Sequence, residues 1–325
     1  MSRSACIASS LAAFSRWKRD AARGATYPRR STRWHLISRW NRAFRRSRVR
    51  RSIDGPTNPS LHRRNVYHDL PFIQLNMPIH SLSGKVAVII GGTGGIGLAT
   101  GHALAEIGAS VVLTGRDADR TASAVATLPA GNHLAAHAEV GDSATLRLLA
   151  DDVQHHYGRV DILVNTSGFT RAIPHADLDA LDDALIDEMF AVNWRGQFAA
   201  IRAFAPLLRA NGDGLVVNVG SIAGRTGQGS NVAYCAVKAG LDVMAMSLGR
   251  ALAPAIRVLN VSPGVVDTGF VPGRDSSFNE RAAKTTPLRR IGQAQDVADA
   301  IVACATSLRF ATGTTIVVDG GRQLG

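Results

Sequence analysis

From Lys85 onward, short apolar runs alternate with segments of helical character, and no hairpin turns separate them. We predict strands at 86–90, 111–114, 133–139, 161–164, 215–219, 257–261 and 315–318. We predict helices at 98–107, 118–128, 143–157, 179–208 (with a break) and 233–252. Strands that are joined through helices run parallel and are covered on both faces. The pattern therefore predicts an α/β fold with a doubly wound parallel sheet, as a single domain over residues 77–325.

A glycine-rich segment lies between the first predicted strand and the first predicted helix. It reads Gly91-Gly-Thr-Gly-Gly95-Ile-Gly97. Glycines at this place let the backbone turn tightly and approach a pyrophosphate, which then meets the amide groups of the helix N-terminus. The segment therefore predicts a dinucleotide-binding site.

The end of the second strand distinguishes the two nicotinamide dinucleotides. An NAD site usually offers Asp or Glu there, which accepts hydrogen bonds from the ribose 2′-hydroxyl. This chain has Thr114, Gly115 and Arg116 instead. A guanidinium can bind a 2′-phosphate through two hydrogen bonds, whereas a carboxylate would repel it. Arg116 therefore favours NADP(H) over NAD(H), unless it is only a solvated surface charge.

Tyr234 and Lys238 lie four residues apart in a predicted helix, and Ser221 follows the strand at 215–219. Positions four apart share one helix face, so the ammonium is expected to lower the pKa of the phenol. Reduction of a ketone requires hydride at carbon and a proton at oxygen. We assign Tyr234 as the acid and Ser221 as a hydrogen-bond donor to the carbonyl oxygen. Lys238 would also hold the nicotinamide ribose.

These residues resemble the pattern of the short-chain dehydrogenase/reductase family, in its classical subgroup, over about 82–325. The family's Gly-x3-Gly-x-Gly turn matches Gly91, Gly95 and Gly97, and its serine and Tyr-x3-Lys motif match Ser221, Tyr234 and Lys238. The resemblance implies a Rossmann fold and an oxidoreductase similar to the 3-oxoacyl-(acyl-carrier-protein) reductases. It also implies a homotetramer or homodimer, since family members pair their long helix and their Tyr/Lys helix between subunits.

The resemblance further implies that Asn193 is a fourth catalytic residue, binding a water that links Lys238 to solvent. It places the cofactor contacts at Gly91, Thr93, Gly95, Ile96, Gly97, Arg116, Glu139, Val140, Asn165, Tyr234, Lys238, Pro263, Gly264, Val266 and Thr268. No metal is expected, because Cys6, Cys235 and Cys304 have no metal-ligand spacing. Their small number, without a disulfide framework, fits a reducing compartment.

The chain departs from the family pattern at three places. Ile90 stands where a threonine often precedes the first glycine, and the Asn-Asn-Ala-Gly motif reads Asn165-Thr-Ser-Gly168. Glu139 replaces the aspartate near the adenine ring. The first change loses a hydroxyl that would hold the turn, the second alters how the fourth strand braces its neighbours, and the third keeps a carboxylate. We expect slightly weaker cofactor affinity and no loss of activity.

Substrate contacts are expected from residues 169–176 and 269–287. Such loops vary freely in this fold, so the sequence does not identify the substrate. Phe169, Phe270 and Phe278 predict a partly apolar pocket, in which Arg171 and Arg274 could meet an acid or a phosphate.

Residues 1–76 hold 16 Arg and one Lys against Asp20, Asp54 and Asp69, so they account for the net charge of +12. Three interpretations remain open: translation starts at Met77, the segment is a cleaved organellar presequence, or it is a disordered basic arm for nucleic acid or anionic lipid. The protein is expected in the cytoplasm, with import into an organelle if the segment is a presequence. The third interpretation allows an alternative function, an NADP(H)-binding redox-sensing regulator without turnover. The Ser/Tyr/Lys/Asn set argues against this alternative, because a regulator needs no acid. Nucleic acid is therefore not expected as a partner. No apolar run is expected to reach the ~20 residues of a bilayer span.

Overall fold

The structure is a computed structural model that describes residues 81–324. The interpretations of the segment 1–76, including the start at Met77 and the basic arm, lie outside the described residues.

Seven parallel strands form one sheet in the order β3-β2-β1-β4-β5-β6-β7. The strands are β1 (Val86–Ile90), β2 (Ser110–Gly115), β3 (Leu134–His137), β4 (Ile162–Asn165), β5 (Gly214–Val219), β6 (Ile256–Pro263) and β7 (Thr314–Val318). The chain moves outward from β1 to one edge and then, after β3, crosses to β4 and builds toward the other edge. This order confirms the doubly wound sheet, and it places the carboxyl ends of β1 and β4 side by side at the switch point, where such folds bind ligands.

Nine α-helices connect the strands within the described residues. They are α1 (Gly95–Glu106), α2 (Ala118–Ala126), α3 (Ser143–Tyr157), α4 (Asp183–Phe190), α5 (Gly196–Ala210), α6 (Ala223–Thr226), α7 (Val232–Ala251), α8 (Ser276–Thr285) and α9 (Ala294–Thr306). A π-helical turn, Ala191–Arg195, joins α4 to α5.

Two cores form because successive side chains of a strand point to opposite faces of the sheet. Ala87 and Ile89 of β1 pack on one face with residues of α1, α2 and α9. Val86, Val88 and Ile90 pack on the other face with residues of α3, α5 and α7. Every residue of β1 is therefore buried, which explains why the strand is a continuous apolar run in the sequence.

Several helices differ from the sequence prediction. The predicted helix 179–208 is broken as expected, but α4 begins only at Asp183, because Asp182 caps it by accepting a hydrogen bond from the amide of Leu185 at 2.8 Å. The short helix α6 and the helices α8 and α9, between β6 and β7, were not predicted.

Among residues 81–324, one helix is long and apolar enough to cross a membrane by length and composition, namely α7. The expectation that no run would reach this length was therefore wrong. One such helix does not show a membrane span, since α7 packs on β6 and β7 and buries Leu241 and Ala245 in the core.

Candidate active site

The turn between β1 and α1 requires glycine at two positions. Gly91 has φ +83°, and a Cβ there would lie 2.8 Å from the backbone nitrogen of Ser167. A Cβ on Gly97 would lie 2.3 Å from the carbonyl oxygen of Gly91. A Cβ on Gly95 would lie 2.8 Å from Cγ2 of Thr268. The bare backbone thus leaves a narrow cradle at the N-terminus of α1, which fits a dinucleotide pyrophosphate.

Two threonine hydroxyls hold this turn. The hydroxyl of Thr166 donates to the carbonyl oxygens of Ile90 and Gly91 at 2.9 and 3.0 Å. The hydroxyl of Thr114 accepts from the amide of Gly91 at 3.3 Å. We expected the turn to lose a hydroxyl because Ile90 replaces threonine. In the structure, Thr166, one of the altered residues of the β4 motif, supplies a hydroxyl at this place.

Tyr234 and Lys238 are both buried on α7, one turn apart. Asn231 fixes where this helix starts, because its side chain accepts from the amide of Tyr234 at 2.7 Å and donates to the carbonyl of Arg171 at 2.8 Å. The ammonium of Lys238 donates to the carbonyl oxygen of Val219 at 2.8 Å and lies 5.6 Å from the centre of the Tyr234 ring. The last residue of β5 thereby holds the lysine beside the phenol.

Ser221 follows β5 and lines the same cavity as Tyr234 and Lys238. Its hydroxyl accepts from the amide of Ala223 at 3.1 Å, at the start of α6. The cavity has a volume of about 1200 Å³ and extends to Ile96 of the glycine turn and to Thr268. It is large enough for both a cofactor and a substrate. The sequence-predicted residues Pro263, Gly264 and Val266 also line it.

The pKa values correct one sequence expectation. Burial raises the pKa of Tyr234 to about 12, and a hydrogen bond to Ser221 and the charge of Arg274 oppose this without overcoming it. Burial lowers the pKa of Lys238 to about 8, while the charge of Asp242 acts in the opposite direction. We expected Lys238 to lower the pKa of the phenol, but desolvation dominates for both groups. Tyr234 is therefore held in its protonated form at neutral pH.

Asn193 lies buried in the π-helical turn between α4 and α5. Its side-chain oxygen accepts from the amide of Phe169 and its amide group donates to the carbonyl of the same residue, both at 2.9 Å. The side chain thus holds the loop that follows β4. The predicted water between Asn193 and Lys238 is not tested by these contacts.

Arg116 and Glu139 follow β2 and β3 and face each other at 4.0 Å. Arg116 is largely exposed, with 79% of its side chain accessible. Arg120 of α2 donates to the carbonyl of Thr93 at 3.3 Å, which ties the glycine turn to the same corner. The predicted cofactor residues Thr93, Arg116 and Glu139 are therefore neighbours at the carboxyl edge of the sheet, although none of them lines the cavity.

Val140 and Asn165 likewise do not line the cavity, and neither do Gly91, Gly95 and Gly97. Val140 packs closely on the start of α5, where a Cβ on Gly196 would lie 2.5 Å from its carbonyl oxygen. The side chain of Asn165 is buried and donates to Asn218 at 2.9 Å. The Asn165 amide group therefore braces the sheet.

A buried row of polar side chains crosses the sheet below the site, and the sequence analysis missed it. Asn165, Asn218 and Asn260 are register partners on β4, β5 and β6. Asn218 donates to Asn260 at 3.1 Å, and Asn260 donates to the carboxylate of Asp242 on α7 at 2.9 Å. The signal was available, since one asparagine interrupts each of these apolar runs near its end. We call the three asparagines the asparagine ladder.

Asp242 connects the asparagine ladder to the active-site helix. It also accepts from Thr315 at 2.7 Å and forms an ion pair with Arg225 at 3.2 Å. Because Asp242 lies one turn beyond Lys238 on α7, its charge favours the protonated form of the lysine. Among residues 81–324, no cluster of three His, Cys, Asp or Glu side chains is placed to hold a metal ion.

A glycine cradle and a buried tyrosine–lysine pair on one edge of a doubly wound sheet define a dinucleotide-dependent oxidoreductase. Comparison with known proteins gives the family. A family model described as enoyl-(acyl carrier protein) reductase matches residues 91–323. A protein of Streptomyces violaceoruber, named as a ketoacyl reductase of granaticin polyketide synthase, is 38% identical over 74% of this chain and 96% of its own length.

The 3-oxoacyl-(acyl-carrier-protein) reductase of Escherichia coli is 31% identical over 75% of this chain and 99% of its own length. A solved short-chain dehydrogenase/reductase from Brucella melitensis, titled glucose/ribitol dehydrogenase, superposes with a TM-score of 0.70 at 28% identity, covering 74% of this chain and 97% of that chain. The chain belongs to the short-chain dehydrogenase/reductase family, and it is an oxidoreductase of the CH–OH/C=O type.

Proposed function

We propose that the protein is an NADP(H)-dependent oxidoreductase that interconverts a ketone and a secondary alcohol, in the manner of the ketoacyl reductases among its relatives. The observation that carries this proposal is that Ser221, Tyr234 and Lys238 line one cavity with Ile96 of the glycine turn and Thr268. Nucleotide-binding backbone and acid–base side chains thus meet in one space.

The residues of the chain divide the work as follows. The cofactor, held by the turn at Gly91, Gly95 and Gly97, supplies the hydride when bound. Tyr234 donates its proton to the carbonyl oxygen, and Ser221 donates a hydrogen bond to the same oxygen. A raised pKa suits this role, because the phenol keeps its proton until the developing alkoxide removes it. Lys238, when protonated, stabilises the phenolate that remains.

The NADP(H) preference is supported by Arg116, whose exposed guanidinium stands at the end of β2 where NAD sites present a carboxylate. Glu139 beside it would repel a 2′-phosphate, so the preference depends on Arg116 outweighing this carboxylate. The E. coli relative is named for a 3-oxoacyl-(acyl-carrier-protein) substrate, which supports a ketone as the substrate of this chain.

We also infer that copies of the chain associate as a homodimer or homotetramer in the cytoplasm. Val243 and Met246 on the outer side of α7 expose 60% and 54% of their surface, and an apolar strip of this kind favours self-association. The regulator alternative rests on the segment 1–76, outside residues 81–324, and we propose the enzyme alone.

The experiment is a panel of ketones and secondary alcohols, followed by the absorbance of reduced nicotinamide with NADPH and with NADH. Tyr234→Phe is expected to lower kcat by about 100- to 10,000-fold, the usual contribution of a positioned acid, and to keep its affinity for NADPH in calorimetry. Tyr157→Phe is the matched control, since that hydroxyl donates only to the carbonyl of Asn132. Turnover of Tyr234→Phe at the native rate would exclude Tyr234 as the acid.

A further inference from the structure

The cavity that holds Tyr234 carries a large excess of positive charge. One carboxylate lines it, that of Asp275. Its oxygen accepts from the amide of Phe278 and the hydroxyl of Ser277, both at 2.8 Å, at the N-terminus of α8. The cationic groups that line the same space are Arg225, Lys238, Arg274, Arg281 and Arg322. The cavity therefore favours an anionic occupant.

Four of these five cations already have partners in the protein. Lys238 donates to Val219, and Arg225 is paired with Asp242. Arg281 donates to the hydroxyl of Ser277 at 2.9 Å. Arg322 donates to the carbonyl of Ala282 at 3.0 Å and to the hydroxyl of Thr285 at 2.8 Å. These contacts fix the cations as parts of the wall.

Arg274 is the exception, since among the described residues it has neither an ion pair nor a hydrogen bond. Its position is nevertheless defined, because its guanidinium lies 4.5 Å from the centre of the Phe278 ring. Stacking on an aromatic ring leaves the edge donors of a guanidinium free for an anion.

Arg274 lines the same cavity as Tyr234 and Ser221. Burial raises the pKa of Tyr234, and the charge of Arg274 opposes this rise. Phe270 also lines this cavity, with its ring 6.1 Å from the ring of Tyr234. The glycine turn at Gly91–Gly97 provides backbone amides for the cofactor phosphates, so the unpaired guanidinium is available for the other reactant.

We propose that the substrate is a ketone that also bears an anionic group, either a carboxylate or a phosphate. Arg274 binds the anionic group, while Phe270 and Phe278 pack on the carbon chain that joins this group to the ketone. This inference rests on the proposed function, since it names the substrate class of the same site. It makes Arg274 a specificity-determining residue.

The test compares matched pairs of charged and neutral ketones at saturating NADPH. The acids are 4-oxopentanoate, 5-oxohexanoate and 6-oxoheptanoate, each beside its methyl ester, and the phosphate pair is dihydroxyacetone phosphate beside dihydroxyacetone. We expect kcat/KM of the native chain to be higher for at least one anion than for its neutral partner. In Arg274→Gln, the ratio of kcat/KM for the anion to kcat/KM for its neutral partner is expected to fall by about 10- to 100-fold, because a charged hydrogen bond is lost. Arg274→Lys should keep part of the ratio.

Lys284→Gln is the matched control, because it removes a positive charge from α8, the helix that follows Arg274, at a position outside the cavity lining. It should leave the ratio unchanged. A binding measurement gives a readout that does not depend on turnover. In calorimetry with the NADPH complex of Tyr234→Phe, adding Arg274→Gln should weaken binding of the preferred anion by a similar factor.

The outcomes separate the inference from the proposed function. If no ketone, charged or neutral, is reduced, both the proposed function and this inference are overturned. If neutral ketones are reduced but the native chain never prefers the anion, or if Arg274→Gln leaves the ratio unchanged, the inference alone is overturned. A phosphate preference without an acid preference supports it and identifies the anion.

Discussion

The asparagine ladder makes a quantitative prediction about stability. In Asn218→Val the central member loses both side-chain hydrogen bonds, at 2.9 Å to Asn165 and at 3.1 Å to Asn260. Valine suits a buried strand, so the backbone of β5 should be retained. The amide group of Asn165 and the side-chain oxygen of Asn260 are then left buried without these partners. At about 1 kcal/mol for each lost bond and a similar cost for each stranded group, the free energy of unfolding should fall by roughly 2–4 kcal/mol.

Urea unfolding followed by circular dichroism measures this loss, and a second variant tests its cause. Asn165→Val combined with Asn218→Val removes one of the two stranded groups. If stranding causes the loss, the double variant should be destabilised by less than the sum of the two single variants, by about 1 kcal/mol or more. Strict additivity, or a loss below about 1 kcal/mol in Asn218→Val, would show that the ladder does not stabilise the sheet in this way.

Three further predictions concern the turn, the cofactor and the lysine. Gly97→Ala should lower the free energy of unfolding, measured in urea, by about 1–3 kcal/mol. Gly94→Ala should lower it by less than about 1 kcal/mol, because a Cβ on Gly94 would stay 3.6 Å from the Gly91 oxygen. Equal losses in the two variants would contradict the steric argument. Arg116→Ala should raise KM for NADPH by about 10-fold or more and change KM for NADH much less, and equal changes would remove its role in phosphate binding. Since burial lowers the pKa of Lys238 to about 8, the unfolded chain binds more protons above that pH, and the free energy of unfolding should rise by up to roughly 2 kcal/mol from pH 8 to 10. Lys238→Met should abolish this rise in urea unfolding at the two pH values, and an unchanged slope would assign it to another group.

The strands were predictable because a sheet covered on both faces requires continuous apolar runs, and β1 shows this with five buried residues. The third strand was predicted too long, since β3 is only partly buried and ends at the exposed His137. The helix α8 buries only Ala282 and so has no apolar period to find. The helix α9 has such a period in Val297, Ala298, Ile301, Cys304 and Ala305, and this signal was overlooked.

The reactive residues of the site were readable from spacing, but their surroundings were not. Tyr234 and Lys238 are one turn apart on a helix, so local geometry places them together. The contact between Asn193 and Phe169 depends on how a helix packs against a distant loop. The raised pKa of Tyr234 depends on its burial, which many residues produce together. The spacing of residues in the sequence predicts which groups lie together, whereas packing determines their pKa values.

The hydroxyl of Thr166 has a consequence for redesign of this protein. It reaches from the loop after β4 to the first turn, at the carbonyls of Ile90 and Gly91. Anyone who reverts the β4 motif toward the family consensus by placing asparagine at 166 would also remove this hydroxyl from the nucleotide cradle. Threonine at 90 would have to be introduced in the same step. The two segments, 75 residues apart in the chain at the contact between Gly91 and Thr166, would therefore have to be redesigned together.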